Sequence, residues 1–322
     1  MKTGKRYRAV FKALSLGILA AFFFSSTFVI NRWLSLGGGD WYWTATLRYL
    51  FVILLLTPII IVTGGISSFT RTVVCFWKSL TFWCISGGIG FGIFYLALCY
   101  SASYSPGWIV ATTWQLTILA GPLILRSFGS SVRRGSLFFS SLSFVGVVLV
   151  NLHELQSSNL SDFRGVLFIV LAAFCYPLGN TLCTQAMSDT GYRWASIDDN
   201  GILQNTFSRI WIMAVGSLPT LIVAGLLIGV RDMPTFHQLV GVGYVAISTG
   251  VIATSLFLYA RQNIARTGDE ISAVDSTQSF EVPFALMFEV LFLGATLPNL
   301  IGWIGMVAVV VGVSGYVFSA RN

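Results

Sequence analysis

Five ionisable side chains occur inside long apolar segments of the sequence: Arg48, Arg209, Asp275, Glu281 and Glu289. A charge at the centre of a bilayer costs at least about 2.5 kcal/mol on insertion scales, so such residues usually face a cavity or a partner. Acids in this setting can take up and release protons, and cations can neutralise acids or hold anions. These residues therefore predict ion-pair and proton-exchange chemistry within a membrane.

The three acids share one helix face with a glutamine. At about 100° per residue, Asp275, Gln278, Glu281 and Glu289 fit one arc of about 120°, and the opposite side of this segment is apolar. A polar face of this kind is expected to look into the interior of a helix bundle or at water, because lipid would not solvate it.

Depth along the segments suggests partners for four of the charges. Arg209 and Asp275 both lie near the inner ends of their segments, and Arg48 and Glu289 both lie nearer the outer ends. Opposite charges at one depth can neutralise each other. We therefore expect two charge pairs, Arg48 with Glu289 and Arg209 with Asp275, that form a gate or charge network.

Glu281 has no cation at its own depth. Desolvation favours the neutral form of a buried carboxylate, so this group is expected to bind a proton and to exchange it for substrate. Pro283 lacks a backbone donor and is expected to loosen the helix beside the acid. The alternative is a structural acid that is hydrogen-bonded to Asn180, Gln115 or a tyrosine.

Neutral side chains are expected to complete the binding site. Trp108, Thr112 and Gln115 share one face of their segment, and Tyr176 and Asn180 share a face of another. Aromatic faces attract organic cations by about 0.5–2 kcal/mol each. Together with Gln278 and Glu281, these residues predict a central cavity for small organic compounds.

The elements that position these residues are apolar helices. The chain has 322 residues, of which 55% are hydrophobic and 10% are charged, whereas soluble domains average about 25% charged residues. A helix crosses a bilayer with about 20 apolar residues. The fold class predicted is all-α and integral to the membrane, with ten transmembrane helices near residues 11–31, 41–62, 78–99, 106–125, 136–151, 164–186, 205–228, 238–260, 271–293 and 299–319.

The distribution of basic residues predicts the orientation. With the N-terminus in the cytoplasm, most Lys and Arg residues fall on the cytoplasmic side of the predicted helices, as the positive-inside rule requires. We therefore expect a multi-pass protein of the cell membrane with both termini cytoplasmic. Because the basic residues lie at segment ends, the net charge of +7 does not indicate nucleic-acid binding.

The two halves of the chain repeat each other. Five residues of the first half recur in the second at one constant spacing: Arg48, Pro58, Ile61, Val62 and Gly64 as Arg209, Pro219, Ile222, Val223 and Gly225. Helices 1–5, in residues 1–151, would correspond to helices 6–10, in residues 152–322. Since five is odd, the second half enters the membrane upside down, as in the inverted repeats of secondary transporters.

The chain resembles the drug/metabolite transporter (DMT) superfamily in its ten-helix, duplicated form, and within it the multidrug resistance efflux branch. The resemblance rests on Arg48, the tight connection at residues 100–106, Pro122, and Gly146 and Gly312 in the last helix of each half. Members often carry Glu after the glycine that closes the fourth and ninth helices. This chain has Ser130 and Ala295 there instead, so the charge networks of the family do not transfer directly.

The resemblance implies a secondary active transporter that exports small organic compounds, cationic or aromatic ones among them, by proton antiport and alternating access. The alternative is a proton-independent exporter or facilitator of metabolites such as amino acids. An enzyme is not expected, because the sequence offers no mid-membrane His or Cys–His pair and no metal-ligand cluster. We expect no cofactor beyond the proton, a small-molecule substrate and the lipid bilayer as partners, and the sequence indicates no oligomeric state.

Overall fold

The computed structural model describes residues 2–128, 134–157, 163–186, 201–229, 232–264, 274 and 276–319. These residues form ten helical runs that correspond to the ten predicted spans. The helices are α1 Lys2–Leu36, α2 Trp41–Lys78, α3 Leu80–Gly87, Gly88–Ile93 and Phe94–Tyr104, α4 Gly107–Trp114 and Thr117–Ser127, α5 Arg134–Ser157, α6 Phe163–Ala186, α7 Thr206–Ile228, α8 Phe236–Val245, Ala246–Ala253 and Thr254–Ile264, α9 Thr277–Phe280 and Glu281–Leu293, and α10 Leu300–Ser319.

The helices have the length and apolar character of membrane spans. Seven are long and apolar enough to cross a bilayer, and two shorter apolar helices, Phe138–Leu152 and Leu300–Tyr316, lie within α5 and α10. The described part of the chain contains no β-strand. The protein is therefore an all-α integral membrane protein, and the predicted fold class is confirmed.

The second helix is longer than the sequence predicted. It continues to Lys78 instead of ending near residue 62, with a kink at Gly65, where φ is 75°. Glycine adopts a positive φ without steric cost, so the chain turns here and then resumes a helix. Beyond the kink, Phe69 packs edge-on against Trp211 of α7 at 5.5 Å, which anchors this extension to the base of α7.

Four other helices depart from α geometry, and they do so in matching places of the two halves. A π-helical segment interrupts α3 at Gly88–Ile93 and α8 at Ala246–Ala253. The fourth helix is broken at Gln115 and Leu116, and α9 begins with a 3₁₀ segment at Thr277–Phe280. Such segments shift the direction of the side chains that follow, so one helical wheel does not describe the whole helix.

Glycines allow close helix crossings around the centre of the bundle. A Cβ on Gly90 of α3 would lie 2.7 Å from the Cα of Gly179 in α6, and a Cβ on Gly146 of α5 would lie 2.6 Å from the carbonyl oxygen of Gly305 in α10. Contacts between helices also correspond across the halves: α3 packs on α6 as α8 packs on α1, α3 on α7 as α8 on α2, and α2 and α5 pack on their counterparts α7 and α10. This packing leaves a central space between the helices.

Candidate functional site

A cavity of about 740 Å³ occupies the centre of the bundle and is lined by every helix except α5. Seven of the predicted site residues line it, five polar or aromatic and two basic: Glu281, Gln278, Gln115, Asn180, Tyr176, Arg48 and Arg209. The volume lies within the range of small-molecule sites. The described residues thus form a chamber with the size and polarity for an organic compound.

Glu281 is the acid in this lining. It is the first residue of the α-helical part of α9, directly after the 3₁₀ segment, and its side chain is only 6% exposed. Among the described residues, its carboxylate has no hydrogen-bond or ion-pair partner, so the structural contacts with Asn180, Gln115 or a tyrosine are not formed. An acid in this position is available to a proton or to a ligand in the cavity.

One of the two glutamines in the lining has an unused hydrogen-bonding group. The Nε2 atom of Gln278 is buried without a partner in the described part of the chain, and the side chain of Gln115, at the break of α4, is 4% exposed. Asn180 donates from Nδ2 to the carbonyl oxygen of Tyr176 at 2.9 Å. Buried polar groups are normally paired, so the unpaired amide of Gln278 favours an interaction with a guest molecule.

Arg48 is one of the two arginines in the lining of the cavity. Its Nη1 atom donates to the hydroxyl oxygen of Tyr95 at 3.0 Å, and its Cζ atom lies 4.4 Å from the centre of the Tyr95 ring. Asn31 of α1 donates to the same hydroxyl at 3.1 Å. The contact with Tyr95 holds the guanidinium at the cavity wall through a hydrogen bond and a cation–π interaction.

Aromatic rings form a continuous part of the wall. Phe94 contacts Trp114 and Tyr176, with ring centres 5.0 Å apart in both pairs, and Trp114 contacts Tyr176 at 5.3 Å. Tyr49 stacks on Phe91 at 5.2 Å. The sequence does not predict Phe94, Tyr49 or Phe91 as lining residues, because their helix positions alone do not separate cavity-facing from core-facing rings.

Glu289 lies outside the cavity and contacts the start of α4 instead of Arg48. Its two carboxylate oxygens accept from the backbone N–H groups of Gly107 and Trp108, at 2.8 and 2.7 Å. The first N–H groups of a helix lack intrahelical acceptors, and a carboxylate there is favoured by hydrogen bonding and by the helix dipole. The structure therefore replaces the expected Arg48–Glu289 pair with a link between α9 and α4.

Two other expected lining residues do not reach the cavity. Trp108 and Thr112 are buried in the first part of α4, where the Thr112 hydroxyl donates to the carbonyl oxygen of Trp108 at 2.7 Å. Gln115 does reach the cavity, because the chain leaves α geometry at this residue and the helix face changes. The shared face predicted for Trp108, Thr112 and Gln115 is thus divided by the break.

The second expected charge pair lies partly outside the described residues. Arg209 lines the cavity and donates from Nη2 to the Thr206 hydroxyl at 3.3 Å. Asp275 is not among the residues that the structure describes. The pairing of Arg209 with Asp275 therefore stays a prediction.

The cavity reaches one end of the bundle. Its lining includes Thr184 near the end of α6, Thr206 at the start of α7 and Tyr316 near the end of α10, all on the side where α1 begins. Towards the opposite end, Glu289 joins α9 to α4, and Arg32 of α1 donates to the carbonyl oxygen of Ala102, in the last turn of α3, at 3.1 Å. The lining that the described residues form therefore extends towards the end of the bundle where α1 begins.

Comparison with known proteins assigns the chain to a transporter family. Residues 11–322 match the family model described as "EmrE: Putative multidrug resistance efflux transporter". The chain belongs to this family. It is 33% identical to the "Uncharacterized protein YjlA" of Bacillus subtilis (strain 168), over 96% of this chain and 95% of that protein.

Two further matches also cover most of this EmrE-family chain. It is 36% identical to the "Uncharacterized 42.1 kDa protein in intracellular alkaline protease 3'region" of Shouchella clausii, over 85% of this chain and 71% of that protein. A solved structure described as "Crystal structure of protein" matches 96% of this chain and 97% of its own with a TM-score of 0.57 at 15% identity, which shows a shared fold. The family identifies the chain as a transporter and not an enzyme.

Proposed function

We propose that this EmrE-family transporter exports small organic compounds, aromatic ones among them, from the cell in exchange for protons. The observation that carries the proposal is Glu281, a carboxylate without a partner among the described residues, on the wall of a cavity of about 740 Å³. An intramembrane acid facing a cavity is the usual place for proton exchange in transporters. The proton is the only coupling species proposed, and no cofactor is required.

The exchange follows from competition at one carboxylate. When the cavity is empty, desolvation favours the protonated acid. A substrate that presents a positive group to Glu281 favours the charged form, and the proton is released to the side that the cavity faces. The aromatic wall formed by Phe94, Trp114 and Tyr176 supports recognition of ring-containing compounds.

Alternating access would come from two inverted repeats, residues 1–151 and 152–322. The matched π-helical segments in α3 and α8, and the matched breaks in α4 and α9, support this organisation. Exchange of the two packings would close one end of the cavity and open the other. In the proposed orientation the chain lies in the cell membrane with both termini cytoplasmic, so the end towards which the described lining extends is the cytoplasmic one.

The proposal is tested in sealed lipid vesicles that contain the purified protein and a trapped pH-sensitive dye. A panel of small aromatic amines, amino acids and carboxylates is added outside, and the internal pH is followed. At least one probe is expected to drive proton movement, and Glu281→Gln, which cannot release a proton, is expected to reduce this flux at least tenfold. Asp232→Asn is the matched control, because Asp232 is an exposed acid outside the cavity.

Two results would count against proton exchange at Glu281. Proton flux that is unchanged in Glu281→Gln would remove this residue from the coupling step. Probe uptake without any proton movement, in the wild-type protein and at any imposed pH gradient, would instead support a proton-independent exporter or facilitator.

A further inference from the structure

The part of α2 that follows the kink, residues 66–78, is not needed to cross the bilayer. At a rise of about 1.5 Å per residue, residues 41–64 of α2 span about 36 Å, and α3, Leu80–Tyr104, spans about 37 Å. Both lengths exceed the hydrocarbon core of a bilayer, which is about 30 Å thick. Residues 66–78, which we call the link helix, therefore join two crossings on the side of the membrane where α1 begins.

The link helix lies across the start of α7. Trp211 of α7 contacts α2 on both sides of the kink: its Nε1 atom donates to the Thr57 hydroxyl at 2.9 Å, and its ring packs against Phe69 at 5.5 Å. In a straight helix, Thr57 and Phe69 would lie about 18 Å apart along the axis. The hydroxyl oxygens of Thr72 and Ser208 are 3.0 Å apart. The link helix thus turns back along the end of the bundle instead of continuing away from it.

Two faces of the link helix are apolar or buried. The face that packs on the bundle consists of four buried residues, Ser68, Thr72, Cys75 and Phe76. On the opposite side, Ile66, Val74 and Trp77 are 73%, 45% and 64% exposed, and at about 100° per residue they fit one arc of about 80°. This arc follows Val62 of α2, which is 84% exposed. The arc therefore continues the lipid-facing surface of α2 beyond the kink.

A third face of the link helix is basic. Arg71 and Lys78 are exposed, and their spacing of seven residues places them within about 20° of each other, beside the apolar arc. Neither side chain has a hydrogen-bond or ion-pair partner in the described ranges of the chain. Helices with basic residues beside aliphatic and tryptophan side chains are typical of the membrane interface, where tryptophan lies at the level of the headgroups. One molecule with acyl chains and an anionic group can contact both faces.

We infer that the link helix binds an anionic phospholipid of the surrounding bilayer. The lipid phosphate contacts the guanidinium of Arg71 and the ammonium of Lys78, and an acyl chain packs along Ile66, Val74 and Trp77. Arginine can bind a phosphate through two parallel hydrogen bonds, and lysine adds a point charge. None of these five residues lines the central cavity, so the inference stands apart from the proposed function.

The test measures which lipids the purified full-length protein retains. The protein in detergent is mixed with equal amounts of phosphatidylglycerol and phosphatidylcholine that carry the same acyl chains, and the bound lipids are counted by native mass spectrometry. The wild-type protein is expected to retain phosphatidylglycerol preferentially. A basic residue near an anionic headgroup favours binding about fivefold, so the double variant Arg71→Gln, Lys78→Gln is expected to lower the bound ratio of phosphatidylglycerol to phosphatidylcholine at least fivefold.

Two control variants separate a defined site from general charge. The double variant Lys12→Gln, Arg126→Gln removes two exposed basic residues at the same end of the bundle but outside the link helix, and it is expected to change the ratio less than twofold. The exchange variant Arg71→Lys, Lys78→Arg keeps both charges and is expected to keep the preference. All four positions are exposed, so each variant is expected to unfold at the temperature of the wild-type protein.

Three outcomes would overturn the inference. The first is equal retention of the two lipids by the wild-type protein. The second is a loss of preference in Lys12→Gln, Arg126→Gln as large as in Arg71→Gln, Lys78→Gln, which would assign the preference to the charge of the whole surface. The third is displacement of the retained phosphatidylglycerol by an equal concentration of glycerophosphoglycerol, its water-soluble headgroup, which would show a phosphate site that does not use the apolar arc.

Discussion

Replacing Glu289 with glutamine should weaken the contact between α9 and α4. The carboxylate accepts two backbone hydrogen bonds, from Gly107 at 2.8 Å and from Trp108 at 2.7 Å. Hydrogen bonds to a charged group contribute about 1.5–3 kcal/mol each, and a neutral one about 0.5–1.5 kcal/mol. A glutamine keeps one oxygen acceptor but presents its NH₂ group to the second N–H. We therefore expect Glu289→Gln to lower the free energy of unfolding by about 2–5 kcal/mol.

The assay is reversible unfolding of the purified protein in mixed micelles, followed by tryptophan fluorescence. The matched control is Asn299→Ala. Asn299 accepts from the backbone N–H of Gly302 at the exposed start of α10, at 3.0 Å, and the loss of an exposed cap costs about 0.5–2 kcal/mol. If Glu289→Gln is no more destabilising than Asn299→Ala, the two buried hydrogen bonds do not hold α9 against α4, and the closed end must depend on other contacts.

Two further substitutions test the packing and the aromatic wall. Gly90→Leu should destabilise the protein by more than about 3 kcal/mol, because even a Cβ at position 90 would lie 2.7 Å from the Cα of Gly179. The same unfolding assay measures this change. A near-neutral effect on the free energy of unfolding would contradict the close crossing of α3 and α6. Trp114→Ala should weaken binding of the preferred aromatic probe about tenfold, since a ring pair contributes about 0.5–1.5 kcal/mol beyond its buried area. Trp77→Ala, which removes a ring that is 64% exposed, is its control, and equal affinities in calorimetry would exclude Trp114 from the wall.

The sequence was sufficient for the helices and for much of the lining, because apolar length and the cost of buried charge are strong constraints. It did not predict where the helices depart from α geometry. The wheel that grouped Gln115 with Trp108 assumed a continuous helix, and the break at Gln115 separates them. Likewise, the apolar segment predicts that the second helix ends near residue 62, whereas Gly65 only kinks the helix, which continues to Lys78.

Comparing how deep the charged residues lie in the membrane also cannot predict the partner of Glu289. Such a comparison pairs charged side chains with one another. The carboxylate of Glu289 instead accepts hydrogen bonds from backbone N–H groups at the start of α4. The sequence does contain a signal for this need: Pro106 precedes that helix and offers no side-chain acceptor. Ser105, one residue earlier, leaves its own hydroxyl without a partner among the described residues. A helix start without a local cap needs an acceptor from elsewhere in the fold.

The two broken helices show how the halves differ in the chemistry they contribute. Both breaks present polar groups to the cavity, Gln115 from α4 and Gln278 with Glu281 from α9. Only the second includes an acid, because Ala120 and not a carboxylate stands in α4 two residues before Pro122, where α9 has Glu281 before Pro283. Among the described lining residues, Glu281 is thus the one carboxylic acid, and the proposed proton exchange depends on it. In the proposed exchange, a single acid would carry one proton per cycle, and a positive group that enters with the substrate would replace that proton one for one.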